Sequence, residues 1–97
     1  RSKIQKKRFM ETIEAGLYRH FKGMEYLVEN VARHSETMDQ FVVYQALYGD
    51  FGLWVRPIGM FKETVVIGGE EIPRFQRTGT LEDAKERLAH LLKHPAE

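Results

Sequence analysis

The hydrophobic pattern changes period twice along the chain. Between Ser2 and Ala15, Phe9 and Ile13 stand four apart and Met10 and Ile13 three apart. That narrow apolar stripe predicts a basic N-terminal helix that stops at Gly16. From Leu17 to Phe75, short runs rich in Val, Tyr, Phe and Leu are cut by Gly, Asp and Lys, as strands are. "LYRHF" (17–21), "EYLVENVAR" (25–33), "QFVVYQALY" (40–48) and "LWVR" (53–56) read as four of them. Pro57 cannot donate to a ladder and ends the fourth. "PIGMF" (57–61) is too short for an α-helix and suits one 3₁₀ turn. "KETVVI" and "EEIPRF" flank Gly68-Gly69, a two-residue hairpin signal. At Thr80 the helical period returns. Thr80 is a good N-cap, and Asp83 three residues on is a weaker form of the capping box. Leu81, Ala84, Leu88 and Leu91 then form a stripe, with Leu92 beside it and Pro95 as the stop.

These periods predict a mainly β chain with flanking helices. The expected core is a small antiparallel SH3-like barrel of five to six strands. Three zones follow: a basic helical leader over residues 1–15, the barrel over 16–75 and an amphipathic helix within 76–97. The last stripe must bury against the barrel, the first helix or a second copy. If Leu88, Leu91 and Leu92 stay exposed, a homodimer through the C-terminal helix is expected.

Composition narrows the function classes. Ninety-seven residues make one domain. A chain of that length buries about 65% of its unfolded surface, too little for a deep active-site cleft. The absence of cysteine excludes disulfides, thiolate metal sites and thiol nucleophiles. No apolar run is long enough to span a membrane, and no segment resembles a signal peptide, so a cytoplasmic setting is expected. The net charge of +1 is unevenly distributed: residues 1–15 carry +3, residues 16–75 carry −2, and residues 76–97 balance. Nucleic-acid binding rests on phosphate neutralisation, for which only the leader "RSKIQKKR" is well supplied.

The segment "HSET" (34–37) offers a histidine, a serine and a carboxylate in a row. Adjacent residues in extended chain point to opposite faces, so His34 and Ser35 diverge and cannot form a nucleophile–base pair by themselves. Ser35, Thr37 and Asp39 suit a loop stabilised by side chain to backbone bonds. A metal site is not expected. His20 and His34 could converge with Glu36 or Asp39 only if their strands pair, and His90 and His94 share a helix face without further ligands. No cofactor is predicted. The aromatics are more informative. In "LWVR", Leu53 and Val55 share one face and Trp54 and Arg56 the other. If Leu53 and Val55 point inward, Trp54, Arg56 and nearby Tyr44 form an outward recognition groove, or a face that the terminal helices cover.

Four blocks in order, "GLYRHFKG" (16–23), "HSET" (34–37), "VVYQALYG" (42–49) and "LWVRPIGMF" (53–61), resemble a small bacterial family known as domain of unknown function 1653. Phe21 departs from a tyrosine in that pattern. The resemblance implies a compact bacterial domain over residues 16–75, with no catalytic residue assigned. It marks Arg19, His20, His34, Ser35, Glu36, Thr37, Tyr44, Trp54 and Arg56 as polar or aromatic positions of the pattern. If the first strand, the HSET loop and the LWVR strand meet, Arg19, Arg56, His20 and His34 make a cationic patch suited to a carboxylate, phosphate or carbonyl. The same arginines could instead pair internally with Glu36. The leading expectation is a non-enzymatic module that binds a protein segment or small anionic ligand through the Trp54–Arg56 face and the HSET loop. Nucleic-acid binding through the leader and aromatics is the alternative. A hydrolase or transferase using His20 or His34 with Ser35 is the third.

Overall fold

A computed structural model describes residues 11–94. Seven strands and two helices follow one another: β1 (Gly16–His20), β2 (Glu25–Arg33), β3 (Gln40–Ala46), β4 (Leu53–Pro57), α1 (Ile58–Phe61), β5 (Thr64–Ile67), β6 (Glu70–Pro73), β7 (Phe75–Gly79) and α2 (Leu81–Lys93). Five strands form one antiparallel sheet in the order β4-β3-β2-β1-β7, and β5 and β6 form a separate hairpin. The chain is therefore mainly β. The SH3-like barrel expected from the strand count is not formed among the described residues. The sheet is open, with β4 and β7 as its two edges.

Strand alternation gives the sheet two different faces. On one, Tyr18, Tyr26, Val28, Val42, Tyr44, Ala46 and Phe75 pack with Ile58 and Phe61 of α1. Phe61 stacks on Phe75 with ring centroids 4.1 Å apart and meets Tyr18 and Tyr44 edge-on. The segment "PIGMF" thus makes one α-helical turn where a 3₁₀ turn was expected, because Lys62 N–H reaches back four residues to the Ile58 carbonyl. On the opposite face, Leu27 and Leu47 pack with Ala84, Leu17, Leu81, Leu88 and Leu91. The apolar stripe of α2 is therefore largely covered by its own sheet, leaving Leu92 exposed. Arg87 pairs with Glu25 and Lys85 with Glu29, fixing α2 along β2. Thr80 and Asp83 complete a reciprocal capping box at its start.

The expected N-terminal helix is not seen where it can be checked. Residues 11–15 are not helical, and the rest of the proposed helix lies outside the described residues. Side chains of the sheet hold this segment. Gln40 both donates to and accepts from the Glu11 backbone, Tyr18 Oη donates to the Glu14 carbonyl, and Arg77 donates twice to the Ala15 carbonyl. Ile13 packs against the aromatic core. Long-range bonds to the backbone have won over a weak helical stripe. At the hairpin tip Gly68 and Gly69 both adopt positive φ, the backbone of a type I′ turn. Among the described residues, no helix is long and apolar enough to cross a membrane.

Candidate functional site

β1 ends at His20, where the chain reverses through Phe21–Met24 into β2. His20 N–H donates to the Met24 carbonyl, and Gly23 N–H donates to the His20 carbonyl. The imidazole closes this turn as well, because Lys22 N–H donates to its Nδ1 at 3.1 Å. An accepting Nδ1 leaves the proton of the neutral ring on Nε2, which is then a donor. The ring lies against Phe21 and Phe75, with centroids 4.6 and 4.9 Å away. Burial holds the imidazole below its usual protonation range, and the charges of Arg74, Lys22 and Arg56 push the same way. The ring is therefore neutral at pH 7 inside a cationic surround.

Beside it opens a shallow groove of about 310 Å³, lined by Arg19, His20, Phe21, Ile72, Pro73 and Gln76. β1 supplies Arg19 and His20, and β7 supplies Gln76, the cross-strand partner of Arg19. β6 contributes the apolar wall of Ile72 and Pro73. The lining holds a guanidinium, an imidazole and a carboxamide but no carboxylate. Arg74 stands nearby, its guanidinium 5.8 Å from the Phe21 ring centroid and 3.9 Å from Glu63. Its Nε is buried without a hydrogen-bond partner among the described residues.

The HSET loop is at the other end of β2. Nine residues of strand at about 3.3 Å each put it roughly 25 Å from the β1–β2 turn. His34 Nδ1 accepts from the N–H groups of Glu36 and Thr37, and Asp39 N–H donates to Thr37 Oγ1. Backbone bonds between His34 and Asp39 and between Met38 and His34 close the loop, with Met38 at φ 67°. Ser35 and Glu36 are exposed, and neither side chain bonds the imidazole among the described residues. The structure therefore does not bring His34, Ser35 and Glu36 to the Arg19–His20 end. The four-residue cationic patch expected from the sequence is not assembled.

Trp54 and Arg56 stand on β4, and the Arg56 charge reaches the His20 end. They share the aromatic face with their cross-strand neighbours Tyr44 and Val42. Tyr44 is buried in the core, edge-on to Tyr26, Phe61 and Phe75. Trp54 is 56% exposed, and the Arg56 guanidinium lies 5.9 Å from the centroid of Phe75. Leu53 and Val55, whose inward placement is the condition for an outward Trp54–Arg56 groove, are 70% and 61% exposed. α2 covers the inner strands β1 and β2 and leaves the β4 side of the second face open. Among the described residues, no three His, Asp or Glu side chains converge as metal ligands.

Lys22, Ile72, Pro73, Arg74 and Gln76 were not singled out from sequence. Apart from Lys22, which lies in the β1–β2 turn, their contribution depends on β7 pairing with β1 across more than fifty residues, which no local pattern announces.

The sequence profile of a protein family of unknown function, DUF1653, matches residues 16–77. That span is well over half of the chain. The chain belongs to this DUF1653 family. A DUF1653 protein from Bordetella bronchiseptica has a crystal structure similar to this one, with 38% identity and a TM-score of 0.66. The alignment covers 74% of this chain and 95% of that one. No match is found among functionally curated proteins. The matched span takes in the HSET loop, the Arg19–His20 groove and β4, and ends before α2. The groove is thus built within the DUF1653 core, with Gln76 near its end.

Proposed function

We propose that this DUF1653 chain is a non-enzymatic recognition module that takes a small anionic ligand in the groove beside His20. The observation that carries this reading is the groove's lining: Arg19, His20 and Gln76 around a cavity with no carboxylate, backed by Lys22 and Arg74. Arg19 supplies the charge, while Gln76 and the neutral His20 supply directional donors. Phe21 and Ile72 supply a wall for the uncharged part of the ligand. Charge-assisted bonds to a guanidinium are the strongest available to such a shallow site. A bacterial, cytoplasmic setting is part of the proposal. The HSET loop has no role in it beyond turning the chain, since both backbone bonds to His34 Nδ1 serve the loop itself.

An amide-correlation NMR titration tests this reading, with inorganic phosphate, acetate and a nucleoside monophosphate as probes. The expected result is shifts confined to residues 19–23 and 72–77. Losing a charged hydrogen bond, at about 1.5–3 kcal/mol, weakens binding roughly 10- to 100-fold in Arg19→Ala. No shift with any probe, or shifts centred on residues 34–39, would defeat the proposal. Single-stranded RNA added to the same sample tests the nucleic-acid alternative, whose phosphate contacts would come from the basic leader.

A further inference from the structure

We infer that β4 is a self-pairing edge, through which two copies of this chain join their sheets about a two-fold axis at Trp54. β4 has a hydrogen-bonded neighbour on one side only, β3. Ala46 N–H donates to the Gly52 carbonyl at 2.9 Å, which fixes the phase of the ladder. By antiparallel alternation, Trp54 and Arg56 then face their polar backbone groups toward β3, whereas Leu53, Val55 and Pro57 face theirs outward. Pro57 has no N–H to leave open there. Open edges are ordinarily blunted by a charge, a proline, a bulge or a covering segment, and β4 has Pro57 at its end and an inward-turned Arg56. Here the residues beside the open groups are exposed Leu53, Trp54 and Val55.

The occupant is decided by what a second β4 would present. An antiparallel copy with its axis at Trp54 sets Leu53 opposite Val55 of the second copy. The N–H and carbonyl groups of Leu53 and Val55 in each strand are then satisfied, while the Pro57 carbonyl falls opposite Phe51, whose N–H already donates to the Tyr48 carbonyl. Moving the axis to Val55 would set the Leu53 carbonyl against Pro57, which cannot donate. In the Trp54 register the two indoles lie side by side, and Arg56 stands opposite Gly52 of the second copy. Gly52 has no side chain, but Asp50 fills that place. Its Oδ1 accepts from Gly52 N–H at 3.1 Å and lies 3.2 Å from where a Gly52 Cβ would stand. Among the described residues neither Asp50 nor Arg56 is in an ion pair, and Arg56 Nε is buried without a partner. In the single chain the Arg56 guanidinium is turned in over Phe75, so pairing with Asp50 of the second copy requires it to swing out toward the tryptophan pair.

Sedimentation velocity over a wide range of protein concentration tests the inference. The whole chain is expected to show a monomer–dimer equilibrium. Val55→Lys places a charge on the edge without touching the β3 ladder and should raise the dimer dissociation constant at least tenfold. Leu53→Lys is the second edge variant, should the first fail to fold. Asp50→Arg and Arg56→Asp should each weaken the dimer, and the double exchange should restore it. A wild-type chain that stays monomeric throughout would overturn the inference, as would a dimer unaffected by either edge lysine. Failure of the exchanged pair to recover would overturn the Trp54 register. Anion titration of the His20 groove reads separately from the Val55→Lys and Leu53→Lys outcomes, whereas Arg56→Asp also changes the charge around His20.

Discussion

Replacing Phe61 with alanine removes the centre of the aromatic face. The ring is 1% exposed, stacks on Phe75 at 4.1 Å and meets Tyr18 and Tyr44 edge-on. An aromatic side chain of this kind buries about 200 Å². At about 25 cal/mol per Å², that area is worth about 5 kcal/mol as an upper bound. Measured phenylalanine truncations fall at about 3–5 kcal/mol, and loss of three aromatic pairs argues for the upper part of that range. The expected cost is about 4 kcal/mol, a large share of the roughly 5–15 kcal/mol that holds a domain of this size. α1 has one turn and no side-chain cap, so Ile58 and Phe61 are what hold it. Urea unfolding followed by far-ultraviolet circular dichroism gives the free energy, and hydrogen exchange gives the fate of residues 57–63. Phe61→Leu, which keeps most of the volume, should cost about 1.5 kcal/mol or less. If Phe61→Ala costs under about 1.5 kcal/mol with an unchanged m-value, α1 does not seal the aromatic core and this account of the fold is wrong.

Three further outcomes follow from named contacts. Gly16→Ala would drive a methyl group into the Gly79 carbonyl and the Arg77 guanidinium at the β1–β7 junction, and should cost about 2 kcal/mol by denaturant unfolding. Thr80→Ala breaks the capping box of α2 and should cost about 1 kcal/mol, with faster amide exchange over residues 81–84. His20 makes stability pH-dependent. Its folded pKa is lowered from 6.5, so between the two values the unfolded chain binds more protons. Stability should fall as pH drops through about 6.5 and level off below the folded value. In His20→Gln this part of the slope should vanish. An unchanged slope in parallel urea titrations would refute the assignment to His20.

Element types were legible where the pattern is local. The Gly68-Gly69 hairpin, the strand "EYLVENVAR" and the capped C-terminal helix all lie where periodicity and turn chemistry put them. What the sequence hid is partner choice. A strand such as "LWVR" has two apolar residues on one face and Trp and Arg on the other, and alternation alone does not say which face is inside. The answer depends on α2 covering β1 and β2 but not β4, which left Leu53 and Val55 exposed. The N-terminal stripe failed for a similar reason. Gln40, Tyr18 and Arg77 capture residues 11–15 from sequence distances that no window can span.

The dipeptide Arg-His makes the same point about sites. It occurs twice, as Arg19-His20 and Arg33-His34, each time beside the end of a strand. In both places the imidazole Nδ1 accepts an N–H from the residue two positions on. Locally the two are one device, a histidine that caps its own turn. Their surroundings separate them. His34 stands on an exposed loop with Phe41 6.4 Å away, whereas His20 is walled by Phe21 and Phe75 and faces Arg74 and Arg56. β7 supplies Phe75 and Gln76, and Arg74 immediately precedes it, more than fifty residues downstream. The motif therefore specifies a turn in both cases. The non-local pairing of β7 with β1 is what distinguishes a turn from a candidate binding site.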